Sequence, residues 1–152
     1  MKNLCLSIML AIAIIISACN NQPVTPTNQA TSNETPVTQE TSPEIDLTQL
    51  SQDVDLATVD EIRGRDDVIL IDVREQWEYD NGHIPGVMLM PTDTIPNRLS
   101  DIPKDKTVII YCRSGRRSAN VIKFLRQNSF DNIHNMLNGF AAWEKSGYEI
   151  EY

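Results

Sequence analysis

The chain has 152 residues, a formal net charge of -8 and three cysteines. The acidic balance argues against general nucleic-acid binding, which needs a basic footprint, and without HExxH, paired CxxC or GxGxxG, zinc and dinucleotide readings have no support. Hydrophobic residues make up 41%, a globular proportion, but all nine aromatics and all six glycines lie from Gly64 onward, so the first third has little with which to build a core and the length suits one domain.

Lys2 opens an uncharged, mostly apolar run from Leu4 to Ala18. That run is shorter than the roughly 20 apolar residues a membrane-spanning helix needs, and it has the size of a signal peptide. It closes on Ile16, Ser17, Ala18 and Cys19, a large aliphatic residue, two small ones and a cysteine. The ending resembles the lipobox of bacterial lipoproteins, in which the signal is cut before the cysteine and the cysteine is acylated. The resemblance implies that residues 1–18 are a signal peptide, that Cys19 is lipidated, and that the remainder is exported and held at the membrane in the cell envelope. Asn20 stands where an aspartate, in Gram-negative lipoproteins, tends to mean inner-membrane retention, so outer-membrane sorting is permitted.

Residues 19–52 read as a lipid-anchored tether. Of residues 20–52, 23 are Thr, Ser, Pro, Gln or Asn and none is aromatic, while Glu34, Glu40, Glu44 and Asp46 give the segment a charge of -4. Such a stretch buries too little apolar surface to offset its ordering entropy, so nothing in it is expected to join the core. As a flexible coil it would reach on the order of 30 Å, enough to hold a domain away from a lipid surface.

From Asp53 onward strand and helix signals alternate. Thr58 to Glu61 fits a capping box for a short helix running to Gly64. Val68 to Ile71 is a continuous apolar run, as in a strand buried on both faces. Glu75 to Tyr79 predicts a helical turn, Val87 to Met90 a short strand, and Thr94 to Leu99 a weak helix interrupted by Pro96. Val108 to Tyr111 predicts a strand that ends at Cys112. Ser118 to Asn128 follows as a helix with Val121, Ile122 and Leu125 inward. Ile133 to Leu137 predicts a last strand, and Phe140 to Ser146 a last helix stopped by Gly147. The alternation means an α/β domain over residues 53–152, with a central, mainly parallel sheet of about five strands flanked by helices.

Cys5 leaves with the expected signal and Cys19 carries the expected lipid, which makes Cys112 a lone thiol in an exported chain. A lone thiol is an intermolecular link, a reactive group or an inert buried residue. Its surroundings favour reactivity. Cys112, Arg113, Ser114, Gly115, Arg116, Arg117 and Ser118 lie between a buried strand and a helix, where ligands of open α/β sheets bind. A tight loop permitted by Gly115, with its backbone N–H groups and the following helix N-terminus, makes an anion nest that lowers a thiol's pKa. Arg113, Arg116 and Arg117 add positive charge for an oxyanion substrate.

Three separated motifs now resemble the rhodanese family, over most of residues 53–152. Ile71-Asp72-Val73-Arg74, Trp77-Glu78-Tyr79 and Gly82-His83-Ile84-Pro85-Gly86 are similar to its early signature. Residues 112–118 resemble its active-site loop, with Cys112 at the persulfide-forming cysteine, and Leu137-Asn138-Gly139, Trp143 and Gly147-Tyr148 resemble its C-terminal signature. Val87 and Asn138 depart from the pattern, where a small residue and a glycine are commoner. The resemblance implies single-domain sulfur transfer. The Cys112 thiolate would take a sulfane sulfur from a small anionic donor such as thiosulfate and pass it to cyanide or a thiol, with the covalent persulfide standing in place of a cofactor.

Phosphatases and arsenate reductases of related fold carry their loop arginine six residues after the cysteine. Here that position is Ser118, and Arg117 sits one residue earlier, so the shorter loop suits a sulfur atom better than a whole phosphate. A noncatalytic binding module of the same fold is the other alternative, and such versions usually lack the cysteine. The remaining singled-out residues read as structural. Asp72 and Arg74 are expected to form a buried ion pair, His83 to anchor a turn, His134 to stand alone, and Trp77 and Trp143 to pack in the core or at its rim. Two separated histidines and one cysteine assemble no metal site. A monomer is expected, with no nucleic-acid partner and a membrane contact only through the lipid on Cys19.

Overall fold

In the computed structural model the described residues are 44–152. The expected signal peptide, Cys19 and the tether up to residue 43 lie outside the described residues. Two continuous apolar runs become the middle of the fold: Val68–Asp72 forms strand β2 and Thr107–Tyr111 forms β4, paired in parallel with Ile71 beside Ile110. Asp53–Val54 forms β1, Met88–Leu89 forms β3 and Ile133–Met136 forms β5. All pairings are parallel and the strand order is β1-β5-β4-β2-β3, so the expected α/β sheet of five strands is present. The helices are α1 (Leu56–Ile62), α2 (Gln76–Asp80), α3 (Arg116–Gln127) and α4 (Gly139–Lys145).

Strand side chains alternate between the two faces. Ile71, Val108, Ile110 and Ile133 pack with Val121, Ile122 and Leu125 of α3, and Cys112 continues that series. Leu70, Ile109, Tyr111 and Met136 pack on the opposite face with Val59 and Ile62 of α1 and Phe140 and Trp143 of α4. The period of two therefore aims the sulfur of Cys112 toward α3.

Several boundaries differ from expectation. Helix α1 begins two residues before Thr58, because the Asp55 carboxylate is the true cap and accepts from both the Thr58 amide and its hydroxyl. The Thr94 to Leu99 segment is covered by two 3-10 turns, Ile95–Asn97 and Leu99–Asp101. The boundary at Asp53 is too late. Ile45, Leu47 and Leu50, around a 3-10 turn at Leu47–Gln49, pack against the core face that holds Trp143. Trp77 was expected in the core or at its rim but is 66% exposed, because five-residue α2 turns Glu78 inward instead. Trp143 is fully buried, with its indole N–H donating to the Glu149 carbonyl at 2.9 Å.

Asp72 and Arg74 form a buried pair. The guanidinium donates to Asp72 at 2.6–3.0 Å and to the Gly82 carbonyl at 2.8 Å, and it lies 4.0 Å from the Phe140 ring centre. His83 anchors its turn with Nδ1 3.1 Å from the Tyr79 carbonyl, and its ring stacks on Tyr79. His134 is not alone: its Nδ1 lies 2.7 Å from the Ser51 carbonyl, pinning the segment that precedes β1 to β5.

Candidate active site

Cys112 follows the last residue of central strand β4 and is 1% exposed. Gly115 takes φ +86°, which lets the chain reverse and start α3 at once. The helix therefore begins at Arg116, two residues earlier than expected. Arg116 and Arg117 lie in its first turn, and the unpaired amides of that turn are available to the sulfur.

Burial alone pushes the Cys112 thiol up. Hydrogen bonding from the Ser118 hydroxyl and from the backbone amides of Ser118, Ser114 and Arg117 outweighs it, and the net direction is downward from an ordinary thiol. The expected nest is thus built of amides at positions two, five and six after the cysteine. The loop's carbonyls are satisfied on its far side: the Phe140 amide donates to the Cys112 carbonyl at 2.8 Å, and the Ala141 amide to that of Arg113 at 2.9 Å. The start of α4 thereby holds the loop with its amides turned inward.

The three arginines divide. Arg113 and Arg116 are exposed and form no salt bridge among the described residues. Arg117, expected to add positive charge at the mouth with the other two, is half-buried and paired. Its Nη1 and Nη2 donate to the two Glu78 carboxylate oxygens at 2.7 and 2.8 Å, a forked pair between α3 and α2. Hydrogen bonding from Arg117, set against burial, holds the Glu78 carboxyl below the usual glutamate range. Arg117 also lies beside the sulfur, whose negative charge favours its cationic form. Its charge acts on Cys112 as one half of a pair. Ser114 is exposed, whereas Gly115 and Ser118 are buried beneath the loop.

Sequence reasoning gave no role to Glu78, Gly139 or Asn135. Asn135 sits on β5 with Oδ1 2.7 Å from Ser118 Oγ, and Gly139 lies directly under the loop. Glu78 and Gly139 fall inside quoted motifs, and Asn135 stands two residues before one; what these residues meet depends on strand order, which periodicity does not reveal.

A family model for the rhodanese-like domain matches residues 55–146. The chain belongs to the rhodanese-like family. It is 38% identical over 107 residues to a sulfurtransferase of Allochromatium vinosum, covering 70% of this chain and 92% of that one. It is 30% identical over 91 residues to the thiosulfate sulfurtransferase GlpE of Pseudoalteromonas translucida, covering 60% and 87%. Among solved structures it resembles the rhodanese-related protein of Thermoplasma volcanium, with a TM-score of 0.61, 26% identity and coverage of 66% and 98%. It also resembles a rhodanese-like domain protein from Staphylococcus aureus, with a TM-score of 0.58, 32% identity and coverage of 67% and 100%. Family and relatives support a sulfurtransferase-like function.

Proposed function

We propose that this rhodanese-like protein transfers sulfane sulfur through a persulfide on Cys112. The observation that carries the reading is a buried strand-end thiol ringed by amides of Ser114, Arg117 and Ser118, with its pKa lowered. The Cys112 thiolate attacks the outer sulfur of a donor such as thiosulfate. A new S–S bond forms, the donor's own S–S bond breaks, and sulfite leaves with the bonding pair. An acceptor nucleophile, cyanide or a thiolate, then attacks the outer sulfur, and the Cys112 thiolate departs. No net oxidant or reductant is consumed and no cofactor takes part. The loop amides stabilise negative charge on both sulfurs, and Arg113 and Arg116 draw the anionic donor to the mouth. Ser114 and Gly115 shape the loop around the bound sulfur, and the substrates are small molecules.

Incubating the full chain with thiosulfate and recording its intact mass tests this. The expected result is a gain of one sulfur, absent in Cys112→Ser and removed by cyanide with release of thiocyanate. A wild-type mass unchanged by thiosulfate and by other sulfane donors would leave the noncatalytic binding module as the reading.

A further inference from the structure

Ser118 Oγ carries one proton and has three neighbours that could accept it. Asn135 Oδ1 lies at 2.7 Å, the Gly115 carbonyl at 3.0 Å and Cys112 Sγ at 3.5 Å. Which one receives the proton depends on the orientation of the Asn135 amide. That orientation is set from β1: Asn135 Nδ2 donates to Asp53 Oδ1 at 2.8 Å, and an ionised carboxylate accepts only. Asp53 therefore holds the amide with its oxygen toward Ser118. Asn135 is buried, so turning the hydroxyl to the sulfur would leave Oδ1 unpaired against another oxygen.

We propose that Asp53 and Asn135 are positioning residues which draw the Ser118 hydroxyl proton toward Asn135 and so limit its donation to the Cys112 sulfur. The inference deepens the sulfur-transfer reading and rests on Cys112 being the reacting atom. Its chemical sense is that a thiolate with fewer donors is the better nucleophile, since nucleophilicity falls as a thiol's pKa falls. The loop amides and a long contact from the Ser118 hydroxyl together lower the thiol's pKa, and the relay holds back the rest of what that hydroxyl could donate. The charge beside the sulfur is already paired, Arg117 of α3 with Glu78 of α2. Arg113 and Arg116 lie on the exposed rim.

Asp53→Asn retains the shape but lets the neutral side chain donate. Asn135 can then turn, and the hydroxyl is released to the sulfur. The test is the pH profile of iodoacetamide alkylation in the full chain, read by mass spectrometry on the Cys112 peptide so that Cys5 and Cys19 do not contribute. At a pH below the thiol's pKa, D53N should raise the thiolate fraction about three- to tenfold, the effect of one added hydrogen bond. Removing a negative charge would also favour the thiolate through space, so the decisive measurement is the same substitution on a Ser118→Ala background. There D53N should shift the profile only by the smaller through-space effect, because no hydroxyl remains to redirect. Asn135→Ala serves as a second background: it releases the hydroxyl by itself, and D53N should add only that same through-space effect. A D53N effect of equal size on either background, or no effect in the wild type, overturns the relay. Alkylation needs no sulfur donor, so a failed persulfide assay and a failed relay are separate results.

Discussion

Gly139 supports the reacting sulfur from beneath. A Cβ at this position would overlap the Cys112 carbonyl oxygen and lie 2.8 Å from both the Arg113 carbonyl carbon and the Gly115 nitrogen. Its φ of +62° would in addition cost an alanine about 1–2 kcal/mol. Gly139→Ala must therefore push the loop off α4, and the amides that converge on Sγ go with it. Cys112 alkylation and persulfide formation should each fall at least about tenfold, the loss expected when preorganised donors move from their place, while far-UV circular dichroism stays unchanged. Asn138→Gly is the matched control. Asn138 already sits at φ +63°, a left-handed conformation asparagine tolerates, so a glycine there should leave both rates as they are. The same observation accounts for the family departure at this position. At residue scale the nucleophile and its loop were legible because their chemistry is contained in seven consecutive residues. The partners of Arg117 and Ser118, 39 and 17 residues away, were not, because only the parallel sheet brings them together.

Element reading succeeded where periodicity was long and failed where it was short. Strands β2 and β4 announce themselves as apolar runs, and α3 as a 12-residue amphipathic helix. Strand β1 has two residues, too few for any alternation to show, and its pairing with β5 comes from the partner strand. Polar composition similarly hid residues 45–50, where single apolar residues separated by polar ones carry the contact. The Arg65 guanidinium donates to the Ile45 carbonyl at 2.9 Å, and the Asn135 amide to that of Gln52 at 2.8 Å. A chain beginning at residue 53 loses Ile45, Leu47 and Leu50 from the face that covers Val54 and Trp143. Each is half-buried, so the shortened chain should be less stable than one beginning at residue 44 by about 2–4 kcal/mol. Urea unfolding of the two chains, monitored by tryptophan fluorescence, measures the difference. Equal midpoints would show that the segment rests on the domain without stabilising it.

At the scale of the whole molecule, the chain carries its charge unevenly: +1 across residues 1–19, -4 across 20–52 and -5 beyond. Two exposed arginines beside the thiol of an acidic domain favour the approach of an anion there, consistent with the small anionic donor proposed above. The lipobox-like ending Ile16-Ser17-Ala18-Cys19 adds a place to that chemistry. We propose that Cys19 is acylated and that the protein acts as a monomer at the surface of a bacterial envelope membrane, outer-membrane sorting being permitted by Asn20. Two acyl-type anchors hold a chain at a membrane where one alone is marginal, so lipidation at a single cysteine through both its thiol and its new amino group is sufficient. Cys19→Ser separates the anchor from the chemistry. Expressed in a bacterium grown with labelled palmitate, the wild type should carry the label and sediment with membranes, and the variant should lose the label. Sulfur transfer by the variant should be unchanged once the protein is released by detergent, because Cys112 and its loop lie in the folded domain. A wild type that sediments with membranes but carries no label would remove the lipoprotein reading and leave an uncleaved anchor as the explanation for the apolar run.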